Sequence, residues 1–360
     1  MGRCKSIMLL ITYNCNLNCT YCYEPKHLKK RMTSNQAKSY IKDIVLGLGS
    51  EYDEFDVQFM GGEPLLEFDL IKEVSEWLWK WDAPLPISNI FIATNGTLLD
   101  KEIKDWLQFN KERICCGLSF DGDIPMQNIN RTLSASKVDL NFFAKTWPTQ
   151  TVKMTISPDT IGDLYNGVTY LISQDLKYIT ADFAMGPKVC WTNEHLTTFY
   201  QQLQALSDFY LEHLDLPVVS MLDIDVLNPL RVGSEELPHC GCGERLVCVD
   251  TDGEHYACHL FSPISLPVSK AKQAQSINFA NKTAFVSDEC KECSIKNLCP
   301  HCYGMNYYIT GDLSKQSTFT CKSTKIQFIM ACQFQQQRAE RMGDVDTKDN
   351  IDKILNTIQL

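Results

Sequence analysis

Three cysteines near the amino terminus are spaced to bind an iron–sulfur cluster. Cys15, Cys19 and Cys22 are separated by three and then two residues, and they follow an apolar run that predicts a strand. Thiolates with this spacing can wrap one corner of a cubane [4Fe–4S] cluster and leave its fourth iron without a protein ligand. An open metal position admits a substrate or cofactor, as it does in catalytic zinc centres. The alternatives are a zinc site that lacks its fourth ligand and a chance spacing.

Cysteine is also the residue type that sets the composition apart. The chain has 17 cysteines among 360 residues, an odd number that excludes a fully paired disulfide framework. Eleven of them fall into three groups: Cys15, Cys19 and Cys22; Cys240, Cys242 and Cys258; and Cys290, Cys293, Cys299, Cys302 and Cys321. Thiols this dense are either disulfide-bonded in an oxidising compartment or held on metal in a reducing one. Because the apolar run 7–11 is too short for a signal peptide or a membrane span, we expect a metal-loaded cytoplasmic protein.

The charge of the chain argues against nucleic acid as its main partner. The formal net charge is -10, and no basic stretch is longer than 29–31. We therefore expect neither nucleic acid nor a membrane as a partner. A chain this acidic favours a basic peptide instead.

The first 225 or so residues alternate between strand and helix patterns. The predicted strands are 7–12, 56–60, 89–93, 114–120, 151–156 and 178–184. The predicted helices are 33–48, 66–81, 100–109, 138–145 and 160–174. This α/β alternation predicts a parallel sheet with crossover helices. Periodicity alone does not choose between an open sheet and a barrel.

Polar or glycine-rich loops follow four of the predicted strands. They are 14–22, 61–64, 94–96 and 119–122. Loops at the carboxyl ends of parallel strands converge on one rim of the sheet. We therefore expect the four loops to form a single composite site.

The rest of the chain predicts a second, smaller domain. A helix over 193–213 leads to the segment 214–236, which we interpret as the join between domains. The stretch 236–321 combines short strands, turns and cysteines, and Asp252-Gly253 predicts a hairpin turn. Small modules of this kind are usually held together by metal. A helix over 325–342 then precedes a polar tail that we expect to be frayed.

The strings CNLNCTYC and GGEP resemble the radical S-adenosylmethionine (SAM) superfamily. In that family three cysteines hold the cluster, and the amino and carboxylate groups of the cofactor chelate the fourth iron. One electron from the cluster cleaves a carbon–sulfur bond, which releases methionine and a 5′-deoxyadenosyl radical that abstracts a hydrogen atom. The resemblance implies a partial (β/α)6 barrel of the TIM type in residues 1–225.

The same resemblance implies roles for particular residues. Cys15, Cys19 and Cys22 would be the iron ligands, and Tyr21 would lie near the adenine. The loop that holds the cofactor's amino group would be Gly61, Gly62, Glu63 and Pro64. The residues that contact its ribose and carboxylate would be Thr94, Asn95, Ser119 and Asp121. Arg131 would pair with the carboxylate, a geometry that suits a guanidinium.

The second cysteine field resembles the SPASM domain that follows radical SAM barrels, with Gly253 and Cys258 in its glycine-to-cysteine spacing. This resemblance implies two auxiliary [4Fe–4S] clusters in a domain spanning 236–335, followed by a C-terminal helix and tail at 336–360. The first cluster would be held by Cys240, Cys242, Cys258 and Cys302. The second would be held by Cys290, Cys293, Cys299 and Cys321.

Two departures from the SPASM pattern concern the first of these clusters. Cys299 and Cys302 are separated by two residues, whereas the usual spacing is three. Cys248 also competes with Cys240 as the remaining ligand.

Enzymes with SPASM domains mostly act on peptides or proteins. The resemblance therefore predicts a maturase that crosslinks or epimerises a residue of a ribosomally made peptide. The alternative is an anaerobic sulfatase-maturating enzyme that forms formylglycine. That group typically has an aspartate as base after the cysteine matching Cys258, whereas this chain has His259. A neutral imidazole can accept a proton or donate a hydrogen bond to a cluster sulfur. A non-catalytic zinc-binding interaction module is the third hypothesis.

The resemblance also implies partners. They are a peptide or protein substrate and an electron donor such as flavodoxin or ferredoxin. Because the cysteine loop begins by residue 15, we expect no leader-binding domain before the barrel. Either the barrel and SPASM surfaces bind the leader, or a separate leader-binding protein does.

Overall fold

The computed structural model describes residues 3–24, 29–186, 188–227, 240–296 and 298–357. The chain divides into two compact units, each built from separate stretches of sequence. The first unit comprises 1–119, 131–150 and 240–280, and the second comprises 120–130, 151–239 and 281–360. Residues 228–236 of the predicted join lie outside the described part of the chain. The domain boundaries at 225, 236 and 335 therefore stay predictions.

The first unit is built on one sheet. Its strands are β1 (Cys4–Thr12), β2 (Glu54–Gly61), β3 (Ile87–Thr94), β4 (Cys115–Leu118), β7 (Leu246–Val249) and β8 (His255–Tyr256). Their order is β4-β3-β2-β1-β7-β8, in which β8 alone is antiparallel to its neighbour. β1 forms because its apolar run is buried on both faces, as a central parallel strand requires.

The second unit contains the remaining two strands, β5 (Val152–Ile156) and β6 (Ile179–Phe183), which pair in parallel. All six predicted strands are confirmed, with shifts of a few residues at their ends. β7 and β8 form the predicted hairpin, and Gly253 has the positive φ of 89° that its turn requires.

Twelve α-helices are present in the described residues. They are α1 (Ser34–Leu46), α2 (Phe68–Leu78), α3 (Lys101–Phe109), α4 (Ile124–Asn130), α5 (Leu140–Thr146), α6 (Leu164–Ser173), α7 (Asn193–Glu212), α8 (Val268–Ala274), α9 (Asp288–Lys291), α10 (Tyr303–Thr310), α11 (Thr318–Met342) and α12 (Val345–Thr357). Short 3-10 turns occupy Pro64–Glu67, Ala135–Lys137, Ile161–Asp163, His259–Phe261 and Lys282–Phe285. No helix among the described residues is long and apolar enough to cross a membrane.

Five of these helices were not expected, namely α4, α8, α9, α10 and α12. α4 follows a loop that the sequence analysis treated only as part of the site, and the carboxylate of Asp123 caps it by accepting from the amide of Met126 at 2.9 Å. The prediction of a frayed tail is wrong, because α12 is a regular helix there. Its side chains Ile351 and Ile354 are buried in a core of the second unit. That core is formed by Val226, Ile295, Phe328, Ala331, Cys332, Ile351 and Ile354.

Candidate functional site

Backbone hydrogen bonds between residues 11–13 and 30–32 form the neck of the loop that carries Cys15, Cys19 and Cys22. The amide of Tyr13 donates to the carbonyl of Lys30 at 2.9 Å, and the amide of Met32 donates to Ile11 at 2.8 Å. The chain therefore returns alongside the end of β1 after the three cysteines. We call residues 14–29 the cluster loop, and the structure describes it at 14–24 and 29.

Inside the cluster loop, local turns set the positions of the cysteines. The amide of Cys22 donates to the carbonyl of Cys19 at 3.2 Å, and the amide of Leu17 donates to the Cys15 sulfur at 3.4 Å. All three cysteines are partly exposed. Three thiols on one short loop fit the donor set of a cluster with one open iron.

The Gly61-Gly62 pair lies against the backbone at the start of the cluster loop. The amide of Gly62 donates to the carbonyl of Thr12 at 3.0 Å, and the amide of Glu63 donates to Asn14 at 2.8 Å. A Cβ at Gly61 would lie 2.2 Å from the Thr12 oxygen, and one at Gly62 would lie 2.3 Å from the Asn14 oxygen. Only glycine allows this approach.

The Glu63 carboxylate connects the glycine loop to the end of β3. One oxygen accepts from the Thr94 hydroxyl at 2.7 Å and from the Leu65 amide at 3.1 Å. The other accepts from the Asn95 amide at 2.8 Å. Burial raises the pKa of Glu63, while these hydrogen bonds and the charge of Arg131 lower it. The carboxylate thus holds two strand-end loops together and is fully engaged within the protein.

Asn95 extends this network to the cluster loop. Its side-chain amide donates to the Oδ1 of Asn16 at 2.9 Å, and the side-chain amide of Asn16 donates to the Thr97 hydroxyl at 2.8 Å. The amide of Ser119 donates to the Thr94 carbonyl at 2.8 Å. The structure therefore brings together the loops after β1, β2, β3 and β4. The sequence analysis did not single out Asn16, whose only signal is its place between the cysteines.

Arg131 lies in the same site. Its side chain is buried, and its guanidinium carbon lies 5.6 Å from the centroid of the Tyr21 ring. The neighbouring Thr132 hydroxyl accepts from the Asn18 amide of the cluster loop at 3.2 Å. Thr132 and Leu133 have positive φ angles of 57° and 52°, a conformation that costs energy for residues other than glycine. The chain is therefore strained where it meets the cluster loop.

Asp121 belongs to the second unit and has partners there. Its Oδ1 accepts from the Thr155 amide at 2.8 Å, and its own amide donates to the Gln127 side chain at 2.8 Å. The carboxylate is fully buried. Its expected contact with the cofactor stays a prediction.

The thiols of Cys240, Cys242 and Cys258 are adjacent to one another in the first unit. Hydrogen bonds to Cys240 and Cys258 raise the pKa of the central thiol, Cys242, and its hydrogen bond lowers the pKa of Cys240 to about 6. Cys248 is fully buried in β7. Cys302 belongs to the second unit, directly before α10.

His259 follows Cys258 in the same unit and is half-buried. Its Nε2 lies 2.9 Å from the Tyr23 hydroxyl, and its Nδ1 is buried with no hydrogen-bond partner. Burial lowers the pKa of His259 to about 4, so its ring is neutral near pH 7. Tyr23, which follows Cys22 directly, is a further site residue that the sequence analysis missed.

Cys290, Cys293, Cys299 and Cys321 lie close together in the second unit. Burial, together with the charges of the other three, raises the pKa of the Cys299 thiol to about 12. Within the described residues, no three or more His, Cys, Asp or Glu side chains are arranged to hold a single metal ion. A cubane cluster instead binds one thiolate at each iron corner, and four neighbouring thiols fit that donor set.

Comparison with known proteins identifies a domain in the first part of the chain. The model of the radical SAM superfamily matches residues 9–136, which include the cluster loop and the Gly61-Gly62 loop. The chain carries a radical SAM domain. The predicted radical SAM domain is thereby confirmed. A radical SAM domain implies S-adenosylmethionine and one [4Fe–4S] cluster as cofactors, and the residues described above fit both.

Two relatives illustrate how far this likeness extends. An uncharacterized protein of Methanocaldococcus jannaschii is 36% identical over 118 residues, which are 33% of this chain and 39% of that protein. The present chain thus spans less than half the length of this relative. A cysteine-type anaerobic sulfatase-maturating enzyme of Clostridium perfringens is 24% identical over 323 residues, or 79% of this chain and 84% of the enzyme.

Two solved structures share the fold. Native anSMEcpe with bound AdoMet and a Cp18Cys peptide has a TM-score of 0.68 at 21% identity, covering 91% of this chain and 96% of that one. Streptococcus suis SuiB bound to precursor peptide SuiA has a TM-score of 0.60 at 12% identity, covering 89% and 76%. The predicted α/β partial barrel with a SPASM-type region after it is therefore confirmed.

Proposed function

We propose that this radical SAM chain is a peptide maturase that crosslinks or epimerises a residue of a ribosomally made peptide. When bound, the cluster and SAM supply a 5′-deoxyadenosyl radical, which abstracts a hydrogen atom from the substrate. Cys15, Cys19 and Cys22 hold the cluster and leave one iron for the cofactor's amino and carboxylate groups. Support for a peptide substrate comes from SuiB and anSMEcpe, both of which have been solved with peptides.

The residues around the cluster loop orient the cofactor in this proposal. The carbonyl-lined glycine loop at 61–62 receives the amino group, and Arg131 pairs with the carboxylate. Tyr21, whose ring faces the Arg131 guanidinium, lies near the adenine. Thr94, Asn95, Ser119 and Asp121 contact the ribose and carboxylate. Glu63 positions the loops, since its carboxylate is already engaged by the protein.

The cysteines of the later chain hold two auxiliary clusters in this proposal. Cys242 lies between Cys240 and Cys258, which supports Cys240 rather than Cys248 as a ligand of the first. Cys302 completes that set. Cys290, Cys293, Cys299 and Cys321 hold the second cluster. A flavodoxin or ferredoxin supplies electrons, and the leader of the peptide is bound either by the barrel and SPASM surfaces or by a separate protein.

The environment of His259 is the observation that favours a peptide maturase over a sulfatase-type enzyme. The half-buried ring is neutral, and its Nε2 is already paired with Tyr23. An ionised aspartate base at this position, which the sulfatase-maturating group typically has, is therefore absent. The second candidate remains formylglycine formation, because the similarity to the Clostridium enzyme extends over 79% of this chain.

Iron content and SAM cleavage test the radical chemistry. Protein reconstituted under anaerobic conditions should carry about twelve irons and form 5′-deoxyadenosine under dithionite. Replacement of Cys15, Cys19 and Cys22 by alanine should leave about eight irons and abolish 5′-deoxyadenosine. Replacement of Cys4, Cys115 and Cys190, which match no cluster pattern, is the control. Cleavage by the first variant would refute the assignment.

Product mass separates the two candidate reactions. Two peptides are offered, one encoded beside the gene and one carrying a sulfatase-type cysteine motif. A crosslink removes two hydrogens from the first, and epimerisation leaves its mass unchanged while inverting a stereocentre. Formylglycine formation removes sulfur from the second. Conversion of the second peptide alone would favour the sulfatase-type reaction.

A further inference from the structure

Tyr13 and Asp250 form a buried pair that the proposed chemistry does not use. Tyr13 follows β1 and Asp250 follows β7, and these two strands are parallel neighbours in the sheet. The Tyr13 hydroxyl lies 2.8 Å from each oxygen of the Asp250 carboxylate. Tyr13 is 2% exposed and Asp250 is 0% exposed, so neither is available to a substrate.

Each member of this pair lies at the base of a segment that carries candidate cluster ligands. The backbone of Tyr13 forms the neck of the cluster loop through its bond to Lys30. The backbone of Asp250 begins the β7–β8 turn, since its carbonyl accepts from Gly253 and its amide donates to Glu254, both at 2.9 Å. β8 then leads directly to Cys258. One hydrogen bond thus joins the cluster loop to the hairpin that presents Cys258.

A second contact joins the same two segments at their far ends. The Tyr23 hydroxyl, one residue after Cys22, lies 2.9 Å from the Nε2 of His259, one residue after Cys258. The two rings are 6.0 Å apart between centroids. Lys30 lies over the Tyr13 ring at 5.5 Å and 3.6 Å from the Asp252 carboxylate of the hairpin. The two segments are therefore tied at both ends, and all of these residues belong to the first unit.

We propose that Tyr13 and Asp250 are positioning residues that hold the cluster loop and the Cys258 hairpin as one rigid piece. The identity of the two clusters rests on the proposed function, whereas the coupling between the two segments does not. Strand pairing between β1 and β7 ends at Leu9 and Val249, so the pair continues the connection beyond the last paired residues. Such stiffness matters because a misplacement of about 1 Å at a reacting centre can cost about 100-fold in rate.

The test uses full-length, cluster-loaded protein and Tyr13→Phe. Hydrogen exchange should rise about tenfold or more at the amides of 250–258 and also at those of the loop neck, the size expected when a hydrogen bond to a charged group is lost. The power saturation of the Cys15–Cys22 cluster's EPR signal, which reports its separation from a neighbouring cluster, should shift. Iron content should stay at the wild-type value.

Tyr52→Phe is the matched control. Its hydroxyl donates to the Glu244 carbonyl at 3.1 Å, which is a phenol contact at the opposite end of β7. We expect exchange at 250–258 and the EPR signal to stay as in the wild type. Asp250→Asn keeps a carbonyl oxygen for Tyr13 and should preserve both readouts. Asp250→Ala removes the Tyr13 contact together with the hydrogen bond from the Thr251 amide, so its effects should be at least as large as those of Tyr13→Phe. The double variant Tyr13→Phe with Asp250→Ala should add nothing further, because both changes remove the same contact.

Three results would overturn the proposal. Equal exchange and equal EPR saturation in Tyr13→Phe and Tyr52→Phe would do so, and so would additive effects in the double variant. If Tyr13→Phe fails to take up iron, Asp250→Asn provides the test instead. Loss of coupling between the cluster loop and the Cys258 hairpin in Asp250→Asn would contradict the role of the Asp250 side chain as hydrogen-bond acceptor. Failure of the proposed function has a different signature: wild-type protein would form no 5′-deoxyadenosine while the exchange coupling between the two segments persisted.

Discussion

Glu63 shows how one buried carboxylate organises the site. It is 1% exposed and accepts hydrogen bonds from three donors on two strand-end loops. A buried charge is costly unless it is paired in this way. The motif around Glu63 could be recognised from the sequence, but its role could not. In the structure the carboxylate joins the loops after β2 and β3, while the backbone at Gly61 and Gly62 contacts the cluster loop.

We predict that Glu63→Gln lowers both stability and SAM affinity. The amide nitrogen of glutamine must face a donor, the Asn95 amide or the Thr94 hydroxyl, and one buried hydrogen bond is lost. The expected cost is about 1–3 kcal/mol in the free energy of unfolding. Denaturant titration and equilibrium binding of SAM to the reconstituted protein measure the two effects.

Glu67→Gln is the control for this prediction. Glu67 lies in the same 3-10 turn, where its side chain makes no cap hydrogen bond to α2. Its replacement should change neither quantity by more than about 0.5 kcal/mol, as is usual for surface substitutions. Equal effects of the two substitutions would show that the Glu63 hydrogen bonds do not hold the site together.

At the scale of elements, steric fit against the cluster loop fixes the position of the glycine loop. Gly62 carries no positive φ that excludes other residues, so the close approach of Asn14 is what demands glycine there. We predict that Gly62→Ala displaces the cluster loop and lowers iron by about four per chain, the content of one cubane. Iron analysis and the loss of 5′-deoxyadenosine measure this. Gly162→Ala is the control, since no atom lies within 4 Å of its added Cβ. Full iron loading of Gly62→Ala would contradict the steric argument.

Elements with strong local patterns could be predicted, and those that depend on distant partners could not. β1 to β6 carry apolar or β-branched runs, and each is found within a few residues of its predicted bounds. β7 has only four residues, and nothing in its sequence indicates that it pairs with β1. The prediction for α12 was wrong because its surface is polar and few of its side chains, Ile351, Ile354 and the partly buried Leu355, anchor it in the core.

The same distinction applies to the site. The cysteines and the glycine loop are local motifs, so their spacing predicted which loops meet. The contacts of Tyr13 with Asp250 and of Tyr23 with His259 join residues 237 and 236 positions apart. No local pattern encodes such contacts, because they arise from the pairing of β1 with β7. Residue type alone gave His259 two roles, and the structure adds that its ring is half-buried and that its Nε2 is paired with Tyr23.

At the scale of the whole molecule, the two units differ in how much of their order depends on metal. The sheet of the first unit has a large apolar core that includes Ile7, Leu9, Val57, Phe59 and Ile92, all fully buried. Among its described residues, the stretch around Cys290–Cys302 in the second unit contains only the four-residue helix α9 and isolated turns before α10. Small segments with so little apolar core usually need a metal to fold.

We therefore predict that removal of iron has a local effect. After chelation of the oxidised protein, hydrogen exchange should rise steeply at 288–302 and 240–258, while β1 to β3 stay protected. Exchange monitored by mass spectrometry measures this. A variant with Cys299→Ala and Cys321→Ala separates the two cysteine fields, because it should raise exchange at 288–302 and leave 240–258 as in the wild type. A uniform rise across the sheet on chelation would mean that the clusters stabilise the whole fold, whereas no rise at 288–302 would mean that this stretch is ordered without them.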